Sequence, residues 1–179
     1  MRSILLAIVI SASLFAYEKD DIINDYEEGN FKQVCLQSAS YYKNNGKNER
    51  LLSMIGDACL KSDFINPLGY IAKNLLSTPD YRQNASYFTT ILLHKKLLYQ
   101  FINDGIDLSN IRLPKTQHIL SLVFEHIVMQ DFSKIDDKIE VKLDQTHKVL
   151  LSKQIKNENS WLLIEEFRDG ELIKKRWYI

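Results

Sequence analysis

Apolar residues recur every three or four positions from about Asp20 to Lys134, which predicts a largely helical region. Turn-forming residues divide this region at Gly29, at Asn44-Asn45-Gly46, from Asp63 to Pro67, at Ser77–Asp80 and at Asp104-Gly105. The segments between them predict helical hairpins. They include a long helix from about Tyr81 to Asn103 and a last helix from about Thr116 to Phe132.

After residue 134 the apolar spacing shortens to two, which predicts β-strands. Asp169-Gly170 is typical of a tight hairpin turn, so we expect an antiparallel meander of three or four strands. One face, including Trp161 or Trp177, should pack on a helix or on a partner. The predicted class is mainly α with a small β part, with a helical domain over 17–134 and a sheet over 135–179.

The segment 1–16 has the layout of a secretory signal peptide. Arg2 precedes an apolar run from Ser3 to Phe15, and the chain turns polar at Tyr17. This run is shorter than the about 20 residues that a membrane span needs. We therefore expect cleavage after Ala16, a periplasmic chain and no integral membrane segment after cleavage. The alternatives are a buried core helix or an uncleaved N-terminal anchor.

The charges of the chain are balanced, with 23 basic and 23 acidic residues. Such balance gives no electrostatic reason to expect binding to nucleic acid or to an anionic membrane surface. The expected partners are therefore other periplasmic or envelope proteins.

Two cysteines, Cys35 and Cys59, are present in the whole chain. In an exported protein an even number of cysteines allows a disulfide. Two buried thiols are the alternative, because a free cysteine also packs as a small apolar residue.

Two stretches of the chain resemble the tetratricopeptide repeat, a helix–turn–helix unit of about 34 residues. They are "DYEEGNFKQV" at 25–34 and "GDACLKSDFINPLGYIAKNLL" at 56–76. Gly29 and Asp63 are one such repeat length apart, and the aromatic residues Phe31 and Phe64 follow them. Gly56-Asp57-Ala58 matches the small-residue run of the family, whereas Cys59 replaces its aromatic residue. The likeness covers about two units, and an irregular helical bundle is the alternative.

Composition, signal segment and degenerate repeat together resemble small periplasmic accessory proteins of the Campylobacter and Helicobacter group. The resemblance implies a non-catalytic scaffold or adaptor in an envelope assembly, in its sharpest form an accessory component of the periplasmic flagellar motor. The alternatives are a periplasmic chaperone or peptide-binding module, and a small exported enzyme or inhibitor without a recognisable motif.

The sequence predicts no catalytic, cofactor-binding or metal-binding residue. His118 and His126 are eight residues apart on one predicted helix, too far apart to hold a single zinc ion, and a solvated or partner-facing helix surface is expected for them. Glu165 and Glu166 are adjacent on a predicted strand and therefore point to opposite faces.

Tyrosines in the helical region are the candidate partner-binding residues, because tyrosine supplies a rigid contact surface with a polar tip. They are Tyr41, Tyr42, Tyr70, Tyr81, Tyr87 and Tyr99. For any one of them, a place in the core is the alternative.

Overall fold

The computed structural model describes residues 17–45 and 48–179, so the predicted signal segment lies outside the described residues. The described part of the chain forms helices followed by an antiparallel sheet. The helices are α1 (Lys19–Glu27), α2 (Phe31–Asn45), α3 (Glu49–Lys61), α4 (Leu68–Ala72), α5 (Pro79–Asp104) and α6 (Ile119–Val128). The mixed class, with helices first and strands at the C-terminal end, is as the sequence predicts.

Five strands form one sheet in the order β1-β2-β3-β4-β5. They are β1 (Ser133–Ile135), β2 (Lys138–Lys142), β3 (His147–Lys156), β4 (Asn159–Arg168) and β5 (Glu171–Tyr178). With five strands, the sheet exceeds the three or four predicted, because the short β1 also pairs. It begins at Ser133, two residues before the predicted boundary. At the predicted hairpin turn, Asp169 and Gly170 both have positive φ, of 51° and 85°.

Local capping sets the limits of α5. The Thr78 hydroxyl accepts a hydrogen bond from the backbone N–H of Tyr81 at 3.2 Å, and Pro79 occupies the first turn. Gly105 ends the helix in the left-handed region with φ 69°. These residues place α5 close to the predicted span.

Helices α4 and α6 are shorter than the sequence pattern predicts. The chain leaves α4 after Ala72, although apolar residues continue to Leu76. His118 is the N-cap of α6 instead of an interior residue, and Gln130, with φ 58°, turns the chain out of the helix. Apolar periodicity alone overestimates the lengths of both helices, because apolar residues in the flanking turns also pack on the core.

The core lies between the helices and one face of the sheet, where α5 faces β3 and β4, and α6 faces β2. The inner face of the sheet carries the buried residues Val141, Val149, Leu151, Leu162, Ile164 and Tyr178. Trp161 and Trp177 lie on the other face, since side chains alternate along β4 and β5. Neither tryptophan therefore packs under the helices.

The two turns predicted from the repeat-like stretches share one backbone hydrogen-bond pattern. At the first turn, Gly29 N–H donates to the Tyr26 carbonyl and Asn30 N–H to that of Asp25. At the second turn, one repeat length further along the chain, Asp63 N–H donates to Leu60 and Phe64 N–H to Cys59. Gly29 and Asp63 have φ of 81° and 61°. Both helices therefore end in the same left-handed turn.

Cys35 on α2 and Cys59 on α3 are joined by a disulfide, with their Cα atoms 4.9 Å apart. Both residues are buried in the helical core. The bond therefore ties together two neighbouring helices.

Candidate functional site

A cleft of about 520 Å³ lies between the turn at 62–67, helix α5 and strand β5. Residues Lys174–Ile179 of β5 and its end line it in succession. Successive strand residues point to opposite faces of a sheet, so both sets meet one cleft only along the edge of the strand. The cleft therefore runs beside the edge of β5.

This edge of β5 is free. The strand pairs with β4 on one side, and within residues 17–45 and 48–179 no strand pairs with its other side. Leu172, Ile173 and Trp177 are exposed along it, Trp177 to 44%. An edge strand with exposed apolar residues is a template for another extended chain.

A buried ion-pair cluster fixes β5 to the helical part of the protein. Asp63, in its left-handed turn after α3, accepts from Arg176 Nε at 2.9 Å and pairs with Lys174 Nζ at 2.6 Å. The Tyr178 hydroxyl also donates to Asp63, at 3.1 Å. Arg176 reaches Glu166 at 2.5 Å, and His147 lies 2.8 Å from the same carboxylate. The cluster positions one wall of the cleft.

The charge states in this cluster follow from opposing effects. Desolvation lowers the pKa of Arg176, but Asp63 and Glu166 outweigh it and hold that pKa above its ordinary value. Desolvation raises the pKa of Glu166, but Arg176 and His147 outweigh it and hold that pKa below its ordinary value. Desolvation, together with Asp63, raises the pKa of Tyr178. Near neutral pH the cluster therefore consists of ion pairs and a protonated tyrosine.

Basic side chains predominate in the cleft. Lys32, Lys95, Lys174, Lys175 and Arg176 line it, together with a single carboxylate, Asp63. Glu165 and Glu166 pair with Lys175 and Arg176 from outside the lining.

Two of these lysines have other kinds of partner. Lys32 Nζ lies 5.7 Å from the centre of the Phe64 ring. Buried Lys95 donates to Asn66 Oδ1 at 2.6 Å and to the main-chain oxygen of Ile179, and desolvation, with Lys96, lowers its pKa to about 8. In the described part of the chain, neither Lys32 nor Lys95 forms a salt bridge with an Asp or Glu side chain.

His118 is not on the solvated or partner-facing helix surface expected from the sequence. It is half-buried, and its Nδ1 accepts a hydrogen bond from Leu120 N–H at 3.3 Å. His126 lies near the far end of α6, with its Nδ1 2.8 Å from Asp131. No group of three or more His, Cys, Asp or Glu side chains among the described residues is arranged to hold a metal ion.

A second, smaller cavity of about 130 Å³ lies between α5 and α6. His94 lines it and packs against Phe124, with 4.7 Å between ring centres and 43° between the ring planes. Only 1% of His94 is exposed, and desolvation lowers its pKa to about 4. The ring is therefore neutral and belongs to the core.

The candidate tyrosines do not form one surface. Tyr41 is only 6% exposed and belongs to the core, whereas Tyr70 and Tyr87 are exposed. Tyr81 and Tyr99 are partly buried against the core, and the Tyr99 hydroxyl donates to the Ser160 carbonyl at 3.1 Å. The side chain of Tyr42 lies outside the described residues. Tyr99 borders a cleft near the end of β5.

Sequence reasoning missed the cluster around Asp63. Lys174, Arg176 and Tyr178 are spaced two residues apart, so the strand pattern predicts that they share one face. Their partner Asp63 is 113 residues from Arg176, and nothing in the local pattern connects the two.

None of the helices in the described part of the chain is both long and apolar enough to cross a bilayer. Comparisons of the chain with protein-family models, with curated proteins and with solved structures give no match in any of the three.

Proposed function

We propose that this protein is a non-catalytic scaffold or adaptor in an envelope assembly, and that it binds its partner at the cleft beside β5. The observation that carries the proposal is the free edge of β5 with its exposed apolar residues Leu172, Ile173 and Trp177. The carboxylates Asp63, Glu165 and Glu166 are engaged by basic side chains, an arrangement that favours structural pairing over acid–base chemistry.

The disulfide between Cys35 and Cys59 supports a place outside the cytoplasm. Disulfides persist in oxidising compartments such as the bacterial periplasm and are rare in the cytosol. Together with the signal-like segment at residues 1–16, this supports export to the periplasm.

Tetratricopeptide-like packing of α1 to α4 is the finer part of the proposal. It is supported by the positions of the left-handed turns at Gly29 and Asp63, which lie one repeat length apart. Their hydrogen-bond pattern is common at helix ends and also occurs at the end of α6. The packing is also supported by the close approach of α3 to α5 at Gly56. The five-residue α4 is short beside the 15-residue α2 to which it would correspond, so the second unit is truncated.

The proposal in its sharpest form is an accessory role in the periplasmic structure of the flagellar motor. It rests on the resemblance in composition and repeat pattern described above. A deletion strain should then lose motility while still growing normally, and a normally motile deletion strain would contradict this form.

Affinity purification of the tagged full chain from the native envelope tests the scaffold proposal. We expect a partner in fixed stoichiometry, and we expect Trp177→Ala to reduce its recovery because that ring is exposed beside the cleft. Ile135→Ala is the matched control, since Ile135 is exposed on β1 at the opposite edge of the sheet. Equal recovery with both variants would contradict binding at β5.

A periplasmic chaperone is the second candidate, because a free strand edge beside a cleft also suits extended segments of unfolded clients. The same purification separates the two functions. A chaperone would recover many clients at low and variable stoichiometry, whereas a scaffold recovers a defined partner.

A further inference from the structure

We propose that the cleft binds an acidic, extended segment of a partner protein, which adds to the free edge of β5 as a sixth strand. This inference rests on the proposed function, since it names the chemistry of the partner at the same site. Its three supports are the geometry of the edge, the exposed apolar side chains and the excess of basic residues.

The edge offers a docking length suited to a short peptide. β5 has 8 residues, and at about 3.3 Å per residue a partner segment of about eight residues matches it. The turn at 62–67 lines the cleft opposite the strand. Backbone hydrogen bonds to an added strand supply affinity, and side-chain sites beside the edge supply specificity.

Apolar side chains of the partner have a surface to cover. Trp161 and Trp177 line the cleft, and Leu172 and Ile173 are exposed further along β5. A segment in which apolar and acidic residues alternate places its apolar set beside Trp161 and Trp177, which share one face of the sheet, and its acidic set on the opposite face.

The charge of the cleft determines which charge the partner segment should carry. The five basic side chains of the cleft face three carboxylates, Asp63, Glu165 and Glu166, when those outside the lining are included. Among the described residues, Lys32 is the exposed lysine of the cleft that lacks a salt bridge, whereas buried Lys95 donates to Asn66 and to the main-chain oxygen of Ile179. Complementary negative charge favours association and disfavours a basic segment.

A second copy of this chain is a poor occupant of the edge. A two-fold axis pairs two β5 strands in antiparallel orientation. When the axis passes through the middle of the strand, Lys174 of each copy lies opposite Lys175 of the other. Like charges directly opposite one another destabilise a strand pair. Lysines on an edge strand are also a common protection against self-association.

Peptide binding by the purified full chain tests the inference. The probes are fluorescein-labelled ten-residue peptides: one alternating Glu and Val, one alternating Lys and Val, and the acidic peptide N-methylated at every second residue. Measured by fluorescence anisotropy, the first should bind at least tenfold more tightly than either of the others. Hydrogen exchange of the backbone amides of 171–178 should slow only with the first peptide.

Charge reversal supplies the matched variants. Lys32→Glu should weaken binding of the acidic peptide at least fivefold, because it inverts an exposed charge lining the cleft. Lys134→Glu changes the net charge equally at the exposed edge strand β1, and should change binding less than twofold. Equal effects of both variants, equal binding of all three peptides, or unchanged exchange in β5 would each overturn the inference.

Three further outcomes separate this inference from the proposed function. A doubled molar mass by light scattering that the acidic peptide does not reverse would identify a second copy as the occupant and overturn the inference. A stoichiometric envelope partner whose footprint avoids β5 would overturn it and leave the scaffold proposal standing. Acidic-peptide binding without any defined envelope partner would support it and contradict the scaffold proposal.

Discussion

At the residue scale, Arg176 connects the sheet to the helices, because its guanidinium reaches both Asp63 and Glu166 while its side chain is only 10% exposed. Removing it leaves two carboxylates in a mostly buried site. We expect Arg176→Met to lower the free energy of unfolding by about 3 to 5 kcal/mol, as measured by urea denaturation. The control is Lys175→Met on the outer face, where a half-exposed pair should cost less than about 1 kcal/mol.

Also at the residue scale, His94 and His118 make stability depend on pH. Desolvation lowers both pKa values from 6.5 to about 4, so the folded protein binds fewer protons than the unfolded chain between these values. Their contribution to stability is full above pH 6.5 and is lost as the pH falls towards 4. Each contributes a slope approaching about 1.4 kcal/mol per pH unit within this window.

Urea denaturation at several pH values measures this slope. The double variant His94→Leu, His118→Asn should have a flatter profile between pH 6.5 and 4.5, and asparagine at 118 retains a side chain that caps α6. An unchanged slope in the double variant would show that other groups cause the acid sensitivity.

At the element scale, the approach of α3 to α5 depends on Gly56. A Cβ atom built at Gly56 would lie 2.3 Å from the Phe88 ring. Alanine normally stabilises a helix relative to glycine, but here we expect Gly56→Ala to destabilise the protein by about 1 to 3 kcal/mol through overpacking. Phe88→Leu should make the same glycine substitution less costly, which a double-mutant cycle measures.

The disulfide acts at the same scale, because it joins α2 to α3 across a sequence separation of 24. By the chain-entropy estimate, closing a loop of this size stabilises the protein by about 3 to 4 kcal/mol. Thiol labelling of the unreduced protein should find no free thiol at Cys35 or Cys59. Two labelled thiols would contradict the bond, and Cys35→Ser with Cys59→Ser should lower the unfolding midpoint.

At the scale of the whole molecule, contacts between the helices and the sheet extend beyond the Asp63 cluster. Tyr99 and Asn103 of α5 hydrogen-bond to Ser160 of β4, and Lys95 reaches the main-chain oxygen of Ile179. The sheet is therefore held against the helical part along β4 and at the end of β5.

Export is a property of the whole chain and has a direct test. Mass spectrometry of the protein from its native cells should find an N-terminus at Tyr17 or within a few residues of it. An intact Met1 on cytoplasmic protein would contradict the periplasmic proposal.

Much of the fold is determined by interactions between residues close in the chain. The change in apolar spacing near residue 134, the start of α5 at Thr78-Pro79 and its end at Gly105 are local, and the structure has them close to where the sequence predicts. The hairpin at Asp169-Gly170 is equally local. Helix capping and tight turns depend on a few adjacent residues, so the sequence alone is sufficient to predict them.

The cleft beside β5, by contrast, is formed by contacts between residues far apart in the chain. Arg176 and Asp63 meet across 113 positions, His118 is half-buried, and both tryptophans face away from the helices. A strand pattern shows which residues share a face but not which face is covered or which edge remains free. The sequence by itself determined the elements and their turns, and the tertiary structure decided the free edge of β5 and its cleft, because these follow from packing between segments far apart in the chain.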